Sequence, residues 1–368
     1  MSNATIRVLV IDDSALAREL ISDQINAAPD MEVVGAARDG LKGLEQLERL
    51  RPDVVTLDVK MPNMDGLETL DAIFDKHPVP VIMFSALTQR AADITLDALD
   101  RGALDYVAKP EGGRAALEQA GDELRRKIRC VFGADVKRVL KIRKARKTRL
   151  AVQTPSGGTM SSAQSSISFQ NCCIALGIST GGPPALSQFF QTLAPPMPPI
   201  VVVQHMPAQF TRPFAQRLNT YSALTIKEAD TGDTLEPDRV LISPGGRHLH
   251  LERQGRKVVA LIRDGDFVSG HRPSVDVMMN CASEVFKGRC LGVVMTGMGR
   301  DGSDGCGAIR ARGGYVLGQD EASSDVYGMN KVAYVEGHVD RQFSLEDLPK
   351  LLTKQTQKMF ASARLQPT

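Results

Sequence analysis

Three apolar runs in the second half of the chain each lead into one reactive side chain. Cys172-Cys173-Ile174-Ala175-Leu176-Gly177 leads into Ser179. Ile200-Val201-Val202-Val203-Gln204 leads into His205. Leu291-Gly292-Val293-Val294-Met295 leads through Thr296-Gly297-Met298-Gly299-Arg300 to Asp301. If these runs are parallel strands, their carboxyl ends share one edge of a sheet, where open α/β sheets bind ligands. A hydroxyl, an imidazole and a carboxylate then converge, which is the composition of a Ser-His-Asp nucleophilic site. A serine hydroxyl is a poor nucleophile until a base takes its proton, and the imidazole in turn needs an orienting anion.

A second set of reactive residues lies in the first half. Asp12-Asp13, Asp58, Ser85 and Lys109-Pro110 each follow a short apolar run. Clustered carboxylates repel one another and are tolerated around a hard cation such as Mg²⁺. A carboxylate beside Mg²⁺ and a lysine can attack phosphorus and hold an acyl phosphate.

Both sets need α/β scaffolds. Strand-like runs at 6–11, 33–34, 54–57, 81–84 and 106–107 alternate with helical spacing over 14–27, the leucines 41, 44, 47 and 50, 67–76 and 91–101. Such alternation implies a parallel sheet wound on both faces. Residues 153–168 are rich in Ser, Thr and Gly and read as a linker; residues 137–149, densely basic, read as a solvated helix end running into it. The alternation then resumes to about residue 350. The expected organisation is a first domain over 1–125, a linker over 126–168, a catalytic domain over 169–355 and a tail over 356–368. The expected class is α/β, with two doubly wound parallel-sheet domains, one flavodoxin-like and one Rossmann-like.

The totals narrow the choices. With 45 basic and 43 acidic residues the net charge is +2, too balanced to argue nucleic-acid binding. Six cysteines include no C-x-x-C pair, and the adjacent Cys172-Cys173 suit reduced core thiols. The first apolar run is interrupted by Asp12-Asp13, so no signal peptide is expected. No stretch reaches the ~18 apolar residues of a membrane span. A cytoplasmic protein with no membrane insertion is expected.

Two motifs compete in the second half. Gly177-Ile178-Ser179-Thr180-Gly181 matches G-x-S-x-G, the nucleophile elbow, with Pro183-Pro184 suited to open the following helix. Gly297-Met298-Gly299-Arg300-Asp301-Gly302 matches G-x-G-x-x-G, a dinucleotide fingerprint. Asp301 would face the pyrophosphate, and two unit charges ~4 Å apart repel by ~4 kcal/mol at an effective dielectric near 20. An Asp in that turn suits orienting an imidazole better. The order Ser, His, Asp differs from the Ser, Asp, His order of α/β-hydrolases, so that fold is the wrong template. His248 and His250 could share a strand face, but no acidic ligand stands at a diagnostic spacing, and a polar cleft or core role is expected for these two and for His271. A regulator that only binds DNA through 137–149 is a rival reading, weakened by the lack of a helix-turn-helix pattern.

Two resemblances sharpen these expectations. Val-Leu-Val-Ile-Asp-Asp-Ser at 8–14, Leu-Asp-Val-Lys-Met-Pro-Asn-Met-Asp-Gly around Asp58, and Lys109-Pro110 resemble a response-regulator receiver domain over about 5–125. That resemblance implies that Asp58 accepts phosphate from a chemotaxis histidine kinase. It implies that Asp13, Asp58 and the backbone carbonyl of Lys60 bind Mg²⁺ with help from Asp12, and that Ser85 and Lys109 contact the phosphoryl group.

Gly-Ile-Ser-Thr-Gly-Gly at 177–182, Gln-His-Met-Pro at 204–207, Ser-Pro-Gly-Gly-Arg-His at 243–248, Gly-His-Arg-Pro-Ser-Val-Asp at 270–276 and Met-Thr-Gly-Met-Gly-Arg-Asp-Gly at 295–302 resemble the chemotaxis protein-glutamate methylesterase family, CheB. That resemblance makes Ser179 the nucleophile, His205 the general base and Asp301 its orienting anion, with the Met298 N–H and the neighbourhood of Thr180 at the oxyanion. It implies hydrolysis of γ-glutamyl methyl esters on methyl-accepting chemotaxis receptors to glutamate and methanol, and deamidation of receptor glutamines. No cofactor is expected for the ester chemistry. A receiver fused to such an enzyme implies that the unphosphorylated receiver obstructs the Ser179 cleft and that phosphorylation opens it.

Overall fold

The computed structural model describes residues 5–86, 88–110, 114–141, 143–144, 169 and 171–363. The expected linker stretch 153–168 and residues 142 and 145–149 of the basic run 137–149 lie outside them. The chain divides into two compact units, Met1–Lys147 and Thr148–Thr368.

The first unit alternates strand and helix: β1 (Ile6–Ile11), α1 (Ala15–Asn26), β2 (Met31–Ala37), α2 (Gly40–Leu50), β3 (Val54–Asp58), α3 (Gly66–Lys76), β4 (Val81–Ser85), α4 (Gln89–Arg101), β5 (Asp105–Ala108) and α5 (Arg114–Val131). The strands form one parallel sheet in the order β2-β1-β3-β4-β5. β3 and β4 are buried along their whole length, which is why they read as unbroken apolar runs rather than alternating ones. Short polar side chains start the helices. Ser14, Asp39 and Thr88 each accept from an N–H in the first turn, and Asp65 with Glu68 forms a full capping box.

This unit continues past residue 125, where a linker was expected. Leu124, Ile128 and Val131 on α5, and Val136 and Val139 beyond it, are buried in the core with Ile21, Ile25 and Val10. Their helical spacing lets one apolar stripe pack inward; of the basic residues between them Arg129 stays exposed, whereas Lys127 reaches in to Asp105 and the Tyr106 carbonyl. The packed structure therefore extends through this basic stretch as far as Leu140.

The second unit contains β6 (Cys173–Ile178), α6 (Gly182–Thr192), β7 (Ile200–Gln204), α7 (Ala208–Asn219), β8 (Thr225–Glu228), β9 (Arg239–Ile242), β10 (His248–Gln254), β11 (Lys257–Arg263), α8 (Val275–Phe286), β12 (Cys290–Val294), α9 (Ser303–Ala311), β13 (Tyr315–Gln319), α10 (Met329–Val335), β14 (Arg341–Phe343) and α11 (Leu348–Ala363). Seven strands pair in parallel in the order β14-β13-β12-β6-β7-β9-β8. β10 and β11 form a separate antiparallel hairpin. The expected pair of parallel-sheet α/β domains is therefore observed, with this hairpin added. α11 extends into the expected tail over 356–368, where Thr356 is buried.

The strand order fixes where chemistry can gather. From β6 the chain winds through β7 toward one edge; from β12 it winds through β13 and β14 toward the other. β6 and β12 are neighbours, so the sheet reverses direction between them. That reversal opens a crevice beyond their carboxyl ends, and Ser179 and the 296–302 loop follow those two strands. Among the described residues, no helix is long and apolar enough to cross a membrane.

Candidate functional site

Ser179, His205 and Asp301 follow three adjacent strands. Ile178 pairs with Gln204 across β6 and β7, and Val294 with Gly177 across β12 and β6. The ladder extends into the loops: the Ser179 N–H donates to the Thr296 carbonyl at 3.0 Å, and the His205 N–H to the Ile178 carbonyl at 3.2 Å. Gln204 adds a crosslink, its side-chain amide donating at 3.1 Å to the carbonyls of both Ser179 and His205.

His205 Nε2 lies 2.8 Å from Asp301 Oδ2. Its other ring nitrogen, Nδ1, is buried and makes no hydrogen bond, so no bond yet joins it to Ser179. With Nε2–H given to a carboxylate, the neutral ring carries its lone pair on Nδ1, the atom available to take a proton. The ring of His271 stacks on His205 at 3.8 Å with the planes 5° apart.

Asp301 is fully buried and is held by the start of α8. Its carboxylate accepts from Ser274 Oγ at 2.8 Å, from the Val275 N–H at 2.8 Å and from the Asp276 N–H at 3.0 Å. Burial pushes its carboxyl group up, but the hydrogen bond and charge of His205, with the Asp276 and Val275 N–H groups, outweigh it and hold Asp301 well below the usual carboxylate range. A helix N-terminus favours a nearby anion through its free N–H groups and its dipole. Two glycines permit this approach. A Cβ on Gly177 would lie 2.2 Å from Val275 Cγ1, and one on Gly302 2.8 Å from it.

The remaining expected residues sit close by. Met298 is half-buried, and among the described residues its N–H donates to no acceptor. Its neighbour Gly297 is pinned, donating to Val326 and accepting from Met329. A Cβ there would lie 2.7 Å from Ser179 Cβ, so only glycine allows this contact. Thr180 is buried, with its carbonyl accepting from Thr296 Oγ1. The arrangement supplies a hydroxyl, a base with a free lone pair, an anion fixed behind it and an unused backbone donor. These are the parts of an acyl-transfer site. The dinucleotide alternative fails here, because the Gly302 and Gly305 N–H groups that would face a pyrophosphate at the start of α9 are taken by Asp276 Oδ1.

Ser274, Asp276 and Gln204 are not among the expected working parts of the site, whereas His271 has the expected polar role beside the imidazole. Ser274 carried a weak signal, a serine just before an apolar helical run; the others depend on contacts between distant segments. His248 is used internally: Nδ1 accepts from the Ser274 N–H, which leaves Nε2 to donate to the Asp266 carbonyl. His250 meets Cys281 Sγ at 3.4 Å.

In the first unit, ligand atoms of Asp12, Asp13 and Asp58 lie within 4.8 Å of one another. Asp12 and Asp58 are buried, and Lys109 Nζ bridges them at 2.8 and 2.9 Å. One ammonium among three carboxylates leaves the pocket short of positive charge. Burial pushes the Asp58 carboxyl up and the neighbouring Asp12 adds to this, against the pull of Lys109. Such a cluster of hard oxygen donors fits Mg²⁺. Lys60 is exposed next to this pocket in sequence. Ser85 Oγ lies 2.8 Å from Thr95 Oγ1 on α4, and the Thr95 hydroxyl lies 2.7 Å from the Ala91 carbonyl.

A family model described as CheB methylesterase matches residues 174–352, and one described as response regulator receiver domain matches residues 8–120. The chain is 44% identical over 365 residues to a protein-glutamate methylesterase/protein-glutamine glutaminase of Koribacter versatilis, covering 97% of this chain and 98% of that protein. It is 39% identical over 363 residues to a protein of the same name from Pyrococcus abyssi, covering 96% and 94%. The crystal structure of the Thermotoga maritima CheB methylesterase catalytic domain matches 50% of this chain and 97% of its own, at 38% identity and a TM-score of 0.49.

Proposed function

The chain belongs to the CheB methylesterase family, with a response-regulator receiver domain ahead of the esterase domain, and on that premise we propose that it is a phosphorylation-activated protein-glutamate methylesterase and protein-glutamine glutaminase acting on chemoreceptors. One observation carries the mechanism above all: Asp301 accepts from His205 Nε2, leaving Nδ1 as the free base atom beside the Ser179 strand end.

In this reading Ser179 Oγ attacks the ester carbonyl carbon while its proton passes to His205 Nδ1. The imidazolium is stabilised by Asp301, already anionic and anchored by α8. The tetrahedral oxyanion takes the Met298 N–H, a type of contact that contributes ~3–4 kcal/mol. Collapse breaks the C–O bond to the methoxy group, which leaves as methanol with the proton from His205. Water then attacks the acyl-enzyme, giving its proton to His205; that proton returns to Ser179 as the glutamyl carboxylate is released. For a glutamine the leaving group is ammonia.

The receiver half is read as the control element. Asp58 accepts phosphate from a chemotaxis histidine kinase. Asp12, Asp13 and Asp58, with the Lys60 carbonyl, would hold Mg²⁺, which neutralises phosphoryl charge. Ser85 and Lys109 contact the phosphoryl oxygens. The reaction belongs in the cytoplasm, where kinase and receptor signalling domains meet.

The test is methanol release from methylated receptor membranes. The intact chain should release methanol, and more of it with a beryllium fluoride adduct at Asp58. Ser179→Ala should lose nearly all turnover while keeping its fold. Turnover surviving in Ser179→Ala would overturn the assignment of the nucleophile.

A further inference from the structure

Residue 276 grips the 296–302 loop twice. Its backbone N–H donates to Asp301 Oδ1 at 3.0 Å. Its carboxylate Oδ1 accepts from the Gly302 N–H at 2.9 Å and the Gly305 N–H at 2.8 Å, in the cap and first turn of α9. Asp301 precedes α9 and caps α8; Asp276 opens α8 and caps α9. Each helix start is thus closed by an acid from the other.

The remaining oxygen, Oδ2, accepts from Ser269 Oγ at 3.3 Å. Ser269 sits at the tip of a tight hairpin in which Val268 and His271 exchange backbone hydrogen bonds at 3.1 and 2.9 Å. Both tip residues, Ser269 and Gly270, have positive φ. His271 at the end of this hairpin is the residue stacked on His205. Asp276 therefore touches both supports of the imidazole, the anion at its edge and the hairpin that carries the ring on its face.

Capping alone does not call for a carboxylate at this position. An asparagine caps a helix about as well as an aspartate, and it would not repel the buried Asp301. What the carboxylate adds is a second negative charge behind the imidazole. We propose that Asp276 is a positioning residue for the Ser179 reaction: it fixes the loop bearing Asp301 and Met298 against α8, and its charge favours the imidazolium through which the reaction passes.

This inference rests on the esterase reading above. The groups that bear on Asp276 are Asp301 in the loop, Asp304 and Cys306 on α9, and His205 through Asp301, with the hairpin contributing Ser269 and, two residues on, His271.

The experiment compares wild type, Asp276→Asn, Ser269→Ala and Ser179→Ala in the full-length chain, activated with beryllium fluoride, on methylated receptor membranes across pH 5–9. Asp276→Asn should fold and keep KM within about twofold. Its kcat should fall ~10- to ~100-fold, less than the ~10²- to 10³-fold loss typical of removing a direct oxyanion donor. The acid limb of its kcat/KM profile, which reports the free base, should move to lower pH. An unchanged kcat, or a loss confined to KM, or an unmoved limb, overturns the inference. If Asp276→Asn does not fold, Ser269→Ala decides: a severalfold lower kcat at unchanged KM supports the inference, and wild-type kinetics overturn it. A wild type that releases no methanol would instead sink the esterase reading itself.

Discussion

Ser179 and His205 are tied together by a third side chain, the Gln204 amide that donates to the carbonyl oxygens of both at 3.1 Å. The strand ladder sets the two residues side by side, and this crosslink stops the two loop starts from parting. The Oδ-like end of the same side chain, Oε1, is buried without a partner. Replacing Gln204 therefore removes two hydrogen bonds and relieves one unsatisfied acceptor.

Gln204→Leu should consequently cost function more than stability. Two hydrogen bonds contribute about 1–3 kcal/mol, and relief of the orphan acceptor offsets part of that. Denaturant unfolding should register a loss at the low end of this range. Esterase kcat should fall ~10-fold or more with KM nearly unchanged, because a small misplacement of reacting groups is costly. A variant with wild-type kcat would remove Gln204 from the catalytic geometry.

The second prediction concerns packing at the start of α8. Gly177→Ala would drive a methyl group into Val275 Cγ1. Overpacking of this kind costs about 1–3 kcal/mol, and the helix start that holds Asp301 must shift. Thermal unfolding and kcat should both decline. The double variant Gly177→Ala/Val275→Ala should recover part of each, because the residues are in contact and their effects are non-additive. Strictly additive losses would mean that the clash is absorbed elsewhere.

The third concerns pH and Asp276. Burial, with the charge of Asp301 added, pushes its carboxyl up to about 6 from the ordinary 3.8, against the pull of the Gly305 N–H. The folded protein thus binds this proton more tightly than the unfolded chain. The stabilisation is complete below about pH 3.8 and is lost as pH rises through about 6. Asp276→Asn lacks this dependence. The melting temperature of wild type relative to the variant should be higher at pH 4.5 than at pH 7.5. A difference that is constant, or that grows with pH, contradicts the sign.

The fourth lies in the receiver unit. Thr95 Oγ1 on α4 hydrogen-bonds Ser85 Oγ at the end of β4. Reaching a phosphoryl group at Asp58 would require Ser85 to give up this partner. Thr95→Val keeps the shape and removes the hydroxyl. With one hydrogen bond contributing about 1 kcal/mol, the beryllium fluoride concentration needed for half-maximal esterase activation should fall ~5-fold. An unchanged midpoint would mean that the Thr95 contact persists in the activated state.

How much of this was legible beforehand differs between elements. β1 was read at its observed limits, and β3 and β4 were each one residue short, because unbroken apolar runs bounded by polar residues carry their own signal. The end of α5 from Arg126 onward, and the packed residues after it, fall in the expected linker, since Arg125, Arg126, Lys127 and Arg129 crowd the sequence around the buried Leu124 and Ile128. The stripe is visible only when spacing is weighed above composition. In the site, Ser179, His205 and Asp301 stood out because each follows an apolar run. Asp276 and Gln204 did not, because their roles arise from a helix meeting a loop across 25 residues and from the pairing of two strands.

An imidazole that works through Nδ1 exposes the nitrogen closest to its own main chain. Nδ1 is bonded directly to Cγ and stays within two bonds of Cβ whatever the rotamer, while Nε2 lies one bond further out. The bond to be cut must then be brought down to the rim of the sheet. A slender, unbranched acid derivative at the end of two methylenes can make that descent, whereas a carbonyl embedded in a polypeptide backbone cannot without the backbone entering too.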